Sequence, residues 1–229
     1  MEQLLEEIEP PRDDVFDDLA ADLRDGAVTP VLIGSAEKAN GIMRLLKTIR
    51  HDAPDVEATR QRLGVEVGKP TLQVMKTVHT PHGGKLSLAR VLAGRLADAA
   101  EVFSSSGAAG KVSGIYRLLG KDQTKLTAAE EGETVALGKL DDVATGDTLS
   151  TARGVAPLVA LDMSPPVYAL ALRPKERKDD VKLSASLQKL VQEDPSLGVE
   201  QNQDTGETIV SGHGEMHLRV AVERLEGKY

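Results

Sequence analysis

The 229-residue chain has no cysteine and no tryptophan, and only three tyrosines and two phenylalanines. Without cysteine there is no disulfide framework, no thiolate metal site and no cysteine nucleophile. So few aromatic rings cannot build stacking platforms on any scale, which argues against reading single-stranded nucleic acid by base stacking. The core must be aliphatic, made of Leu, Val, Ile and Ala. No apolar run approaches the roughly 18 residues of a membrane span and no signal peptide opens the chain. A cytoplasmic protein with no membrane partner is expected. What is present is ordinary for a folded protein: 40% hydrophobic and 28% charged residues exclude a disordered or collagen-like chain. The length suits one large domain or two small ones, at about 100 to 200 residues each.

The net charge of −8 is unevenly placed. Residues 1–25 carry ten acids against Arg12 and Arg24, which leaves the remainder neutral with 26 acids and 26 bases. Such a run reads as a solvated helix face. The overall acidity argues against free-standing nucleic-acid binding, so no DNA partner is expected, while local basic patches stay possible.

Along the chain, residues 28–33 form a short β-branched run ending at Gly34-Ser35-Ala36. Ile42, Leu45, Leu46 and Ile49 then fall at i, i+3, i+4 and i+7, the stripe of an amphipathic helix that should stop near Ala53-Pro54. Together they predict a strand, a loop and a helix. Residues 54–70 are polar and proline-bounded, as in a linker. From 71 to 160 short apolar runs at 71–78, 86–93, 112–119, 134–138 and 157–161 alternate with Gly, Ser and Asp, which predicts an all-β barrel or sandwich. Gly83-Gly84 and Gly146-Asp147 mark turns. After Pro165-Pro166 the pattern predicts a strand at 167–172 and a helix carrying Leu183, Leu187, Leu190 and Val191. Strands at 197–202 and 207–211 follow, then a helix from about Gly214. That order, β-α-β-β-α, is a ferredoxin-like unit without its last strand.

Candidate chemistry is sparse. A phosphate loop needs GxxxxGK[ST], and the nearest approach, Gly84-Lys85, has His79 for the first glycine and Leu86 for the hydroxyl. No catalytic residue is assigned. His213 and His217 have a metal-ligand spacing, but the glutamate position is wrong for a zincin and His213 belongs to the loop before the helix, so no metal site is expected. His79 and His82 read as loop residues beside Pro81 and Gly83. Ser211-Gly212-His213-Gly214 suits either an anion at a helix start or an ordinary entry turn. Arg173, Lys175, Arg177 and Lys178 form the densest basic cluster, which is either an exposed loop or a contact with RNA phosphate.

The run Asp204–Leu225, DTGETIVSGHGEMHLRVAVERL, resembles domain III of elongation factor G, where a TGQTIISGMGELHLE-type stretch is usual. Lys182–Pro195 is similar to that domain's KLxxxLxKLxxEDP segment, and Pro166–Lys175 to its opening strand. Gly84–Leu96 resembles the GKLxxxRVxSGxL segment of domain II, and Ala144–Leu149 its TTGDTL segment. Thr29–Ala36, TPVLIGSA, resembles VPVLxGSA, the last guanine-recognition loop of the GTPase domain. Departures stand at Ala99, where glycine is usual, at Ala93, where serine is usual, and at His213, where methionine is common. With the scarcity of aromatics they suggest an elongation factor G-like paralogue rather than the main translocase.

The resemblance implies a multidomain α+β internal fragment of a translational GTPase. Residues 1–57 would be the C-terminal end of an α/β GTPase domain, 58–70 a linker, 71–160 the all-β translation-factor barrel (domain II) and 164–229 a truncated ferredoxin-like domain III. Ser35 and Ala36 would lie beside the guanine base. The intact protein would hydrolyse GTP with magnesium on the ribosome, meeting ribosomal RNA and ribosomal proteins during translocation or recycling. The phosphate loop would precede Met1 and domains IV and V would follow Tyr229, so this segment alone should bind no cofactor and hydrolyse nothing. The alternatives are a ribosome-protection or other ribosome-binding relative, and a non-enzymatic β-barrel binding module.

Overall fold

Leu72 and Val74 on one strand face Val91 and Ala89 on the next, and all four are essentially solvent-free. Their strands, β1 (Thr71–Thr80) and β2 (Gly84–Ala93), are the centre of an eight-stranded antiparallel sheet. The computed structural model describes residues 12–80, 84–120, 122–159, 162–174 and 179–228. Two compact units meet in sequence between Thr59 and Arg60.

In the second unit, β4 (Glu101–Ser104), β5 (Ala109–Lys111), β6 (Ile115–Leu119), β7 (Asp122–Leu126), β9 (Thr134–Gly138) and β10 (Thr148–Ser150) complete the sheet, in the order β5-β4-β10-β1-β2-β9-β6-β7. A small ladder, β3 (Leu96–Ala97) with β8 (Ala128–Ala129), lies beside it. The period-2 pattern sends one face of each strand inward: Leu149 pairs with Leu72, Ala89 with Val135, and Leu137 with Ile115. The largest fully buried side chains are all Leu, Ile or Val, as the scarcity of aromatics requires. Each such leucine contributes about 1.5–3 kcal/mol. The register between β1 and β2 slips between Val74 and Lys76, so Met75 is an extra, half-exposed residue of a bulge that bends β1. The outer strands β5 and β7 share no described ladder. The segment between β5 and β6 instead bonds to the end of β9, where Ser113 N donates to Gly138 O at 3.0 Å and Gly138 N to Gly114 O at 3.0 Å.

The order predicted for the C-terminal part is the order found. β11 (Tyr168–Leu172), α4 (Asp180–Glu193), β12 (Gly198–Gln201), β13 (Thr208–Gly212) and α5 (Glu215–Lys228) give a three-stranded antiparallel sheet, β11-β13-β12, with two helices. Leu187 and Leu190 from α4 and Leu218 and Ala221 from α5 meet Leu197 and Val210 in one apolar cluster. The helical stripe is what aims them there. α4 stops at Asp194, whose extended backbone suits the residue before Pro195.

In the first unit, α1 is Arg12–Arg24 and α2 is Ile42–Asp52. Asp14, Asp17, Asp18 and Asp22 are exposed along α1, a solvated acidic face as expected. Two expectations are corrected. Residues 28–33 form no strand, because no described segment offers them a ladder partner, and Val31 and Ile33 stay exposed. The polar stretch 54–70 is not all linker: Val56–Arg62, which spans the division at Thr59 and Arg60, is helical (α3), with Asp55 Oδ1 accepting the Ala58 N–H at 2.8 Å as an N-cap. Residues 157–159 also lack a strand, and 160–161 lie outside the described residues.

Candidate functional site

The Gly34–Gly41 loop is closed by one pair of residues. Ser35 N donates to Asn40 O at 2.9 Å. Closure brings Gly41 against the entering chain: its φ is +78°, and a Cβ there would meet Ile33 O at 2.5 Å, so only glycine fits before α2. The result is a short loop that leaves Ser35 half-buried and Ala36 exposed at its outer edge. These are the two residues expected beside guanine, and both side chains are small enough to leave that edge uncovered.

The GKL and TGDTL segments are structural. Lys85 is buried at the start of β2, and its Nζ donates to Asp141 O at 2.6 Å and Val143 O at 2.5 Å. Burial lowers its pKa, against the raising influence of Asp141, Asp142 and Asp147. It is a strut to the turn before β10, which fits the absence of a phosphate loop around it. In that turn buried Asp147 accepts the Ala144 N–H at 2.9 Å and the Ser106 hydroxyl at 3.0 Å. Thr148 Oγ1 donates to Gln73 Oε1 at 3.0 Å and accepts the Leu158 N–H at 3.0 Å. The motif therefore fastens β10 to β1 and to the chain leaving the sheet.

Of the basic cluster only Arg173 lies among the described residues; Lys175, Arg177 and Lys178 fall outside them. Arg173 closes β11 and pairs with Glu207 at the entry to β13. Its side chain is three-quarters exposed, but Asp180 and Glu207 share the concavity that it lines.

The histidines depart from expectation. His79 is no loop residue: it belongs to β1, its N–H donates to Glu193 Oε1 at 2.5 Å and its Nε2 lies 2.9 Å from Gln192 Oε1, both on α4. His82 lies outside the described residues. His217 is no surface residue, with its side chain about 22% exposed and Nε2 at 3.1 Å from Asp194 Oδ2. Asp194 Oδ1 also accepts the Ser196 hydroxyl. A carboxylate between serine and imidazole is not a nucleophile and base in contact, so this is a tie and not a catalytic triad. His213 precedes α5 as expected, its Nε2 3.0 Å from Ser164 O and its N–H donating to His217 Nδ1 at 3.0 Å. That bond fills the helix-entry turn, which therefore reads as a cap. A Cβ at Gly212 would come within 2.7 Å of the His217 ring, so the glycine makes room for it. No group of three or more His, Cys, Asp or Glu suited to a metal occurs among the described residues.

Residues 69–152 match the family model for elongation factor G domain 2, and residues 163–229 match that for elongation factor G domain III. The chain belongs to the elongation factor G family. It is 46% identical over 232 aligned residues to an elongation factor G-like protein of Synechocystis sp., covering all of this chain and 34% of that protein. It is 30% identical to elongation factor G of Amoebophilus asiaticus, over 90% of this chain and 31% of that one. A crystal structure of a Thermus thermophilus protein superposes with a TM-score of 0.80 at 30% identity, covering 98% of this chain and 34% of that one. The chain thus spans about a third of the length of these relatives. Of the family departures, Ala99 has φ +64°, the left-handed backbone that explains the usual glycine. Ala93 is fully buried at the end of β2, and nothing in the structure explains its replacing serine. No described helix is long and apolar enough to cross a membrane.

Proposed function

We propose that this chain is the central part of an elongation factor G-like translational GTPase that acts on the ribosome in the cytoplasm. The observation that carries the reading is the order of two domain families, domain 2 and then domain III, on one chain behind a TPVLIGSA loop. In this reading residues 1–57 end the GTPase domain, 58–70 link it onward, 71–160 form the domain II barrel and 164–229 form a ferredoxin-like domain III short of its last strand. Greater identity to the elongation factor G-like relative than to the elongation factor G relative supports the paralogue over the main translocase.

The loop at Ser35 and Ala36 suits a purine edge: a closed turn, one half-buried hydroxyl and one exposed methyl. GTP with magnesium would supply the energy of phosphoryl transfer to the intact protein. The residues present here only border the base, since none forms a phosphate cradle. Ribosomal RNA and ribosomal proteins are the partners, and Arg173, Lys175, Arg177 and Lys178 remain the RNA contact proposed from sequence. Translocation and recycling are the roles this places in view. Co-sedimentation of the full-length protein with ribosomes in the presence of a non-hydrolysable GTP analogue tests the reading. Retention that depends on the analogue supports it, and absence from the ribosomal pellet with and without the analogue contradicts it.

A further inference from the structure

Lys111 at the end of β5, Lys125 on β7 and Lys139 just after β9 are distant in sequence, yet they line one concavity of about 520 Å³ with Asp98, Ala99 and Tyr116. All three lysines are exposed. The carboxylate in the concavity, Asp98, is already engaged. Its Oδ1 accepts the N–H groups of Ala99 and Gly114, each at 2.9 Å, and its Oδ2 lies 3.7 Å from Lys125 Nζ. Those contacts, the Gly114 N–H foremost, hold its carboxyl below the usual carboxylate range. Asp98 therefore offsets Lys125 and leaves two ammonium charges. Glu101 stands opposite Lys111 in the β4–β5 ladder without an ion pair to it among the described residues.

A second observation is independent of charge. Of the three non-glycine residues with left-handed backbone among the described residues, Ala99 and Lys139 both sit in this concavity, at φ +64° and +57°. An L-residue there costs about 1–2 kcal/mol, and strain of this kind gathers where a side chain has to be held for a ligand. At Lys139 it fixes the backbone from which a third lysine lines the concavity. The size lies within the range of small-ligand sites. Several ammonium groups around a concavity, each a point donor and not a planar fork, suit a tetrahedral, multiply charged anion better than a planar carboxylate.

We propose that this concavity binds a phosphate group, carried by a polynucleotide backbone or by a free nucleotide. The test titrates a short oligouridylate and uridine 5′-monophosphate separately into the 229-residue protein, followed by amide chemical shifts. Shifts are expected at 98–99, 111–116, 125 and 139. If the oligomer alone produces them, the phosphate belongs to a backbone. The logarithm of its affinity should then fall against that of salt with a slope of about −1.4, at about −0.7 for each of the two uncompensated lysines. If the mononucleotide produces them equally, the ligand is a free nucleotide. Lys111→Ala/Lys125→Ala/Lys139→Gly should weaken binding about tenfold or more, whereas Lys76→Ala, an exposed side chain of β1 outside the concavity, should not. Lys139→Gly alone guards against misfolding, because it relieves backbone strain and should weaken binding while raising the melting temperature. Unchanged binding by the triple variant, or no shift with either probe, overturns the proposal.

Discussion

His217 Nε2 lies 3.1 Å from Asp194 Oδ2, so the first turn of α5 is tied to the residue that ends α4. His217 Nδ1 accepts the His213 N–H at 3.0 Å, which leaves the ring proton on Nε2 to donate to Asp194. One imidazole thus serves a helix start and a helix end at once. His217→Ala should cost about 1–2 kcal/mol in urea unfolding. A loss below a few tenths would mean that the tie does not support the fold.

Asp194 gives a pH dependence whose sign is fixed. Burial alone would raise its pKa, but the hydrogen bonds from Ser196 and His217 outweigh it, and the carboxyl sits below its ordinary value. A depressed folded-state pKa means stability that is present above the unfolded value, about 3.9, and lost as pH falls through the folded one. The melting temperature should drop below about pH 4, and Asp194→Asn should remove that part of the drop. An identical acid limb in the variant would place the dependence elsewhere.

His79 joins the large sheet to α4 and adds a second loss of stability on acidification, nearer neutral pH. Its pKa is lowered, chiefly by burial, with the Gln192 hydrogen bond and Glu193 opposing. A base with a depressed folded-state pKa is charged more readily in the unfolded chain, so stability falls as pH drops below about 6.5. Between pH 7 and 5, wild type should lose stability faster than His79→Gln. Parallel curves would remove His79 from this contact's pH response.

Ala99→Gly should stabilise the protein by about 1 kcal/mol, by relieving left-handed strain at a position where the family usually has glycine. Thermal unfolding reads it directly. A destabilised variant would show that the Ala99 methyl is needed for packing.

Lys85→Met should cost about 2–4 kcal/mol, since it leaves two carbonyls of the 141–143 turn without their donor. Guanidinium unfolding with and without GTP separates this from a phosphate role. The loss should be the same in both, and a loss seen only with GTP would make Lys85 a nucleotide ligand.

The C-terminal β-α-β-β-α order was legible because two periodicities alternate cleanly, with Pro195 and Gly206 punctuating them. β3, β5, β8 and β10 were not, because strands of two or three residues are fixed by their partners and not by local pattern. The run 28–33 has the composition of a strand but no neighbour to pair with among the described residues. His79 looked like a loop residue because Pro81 and Gly83 follow it, while the carboxylate that engages its N–H is 114 residues away. The same distance problem hid the lysine concavity, whose members share no segment. The guanine loop was legible only by resemblance: Ser35 and Ala36 have no chemistry that marks them, and the closure that shapes their loop depends on Asn40 and Gly41.

The most direct test is GTP hydrolysis by the full-length protein, measured with and without ribosomes. Turnover that ribosomes stimulate, with Ala36→Leu raising the KM for GTP and leaving kcat near wild type, is the expected result. No GTP turnover under either condition would contradict a translational GTPase.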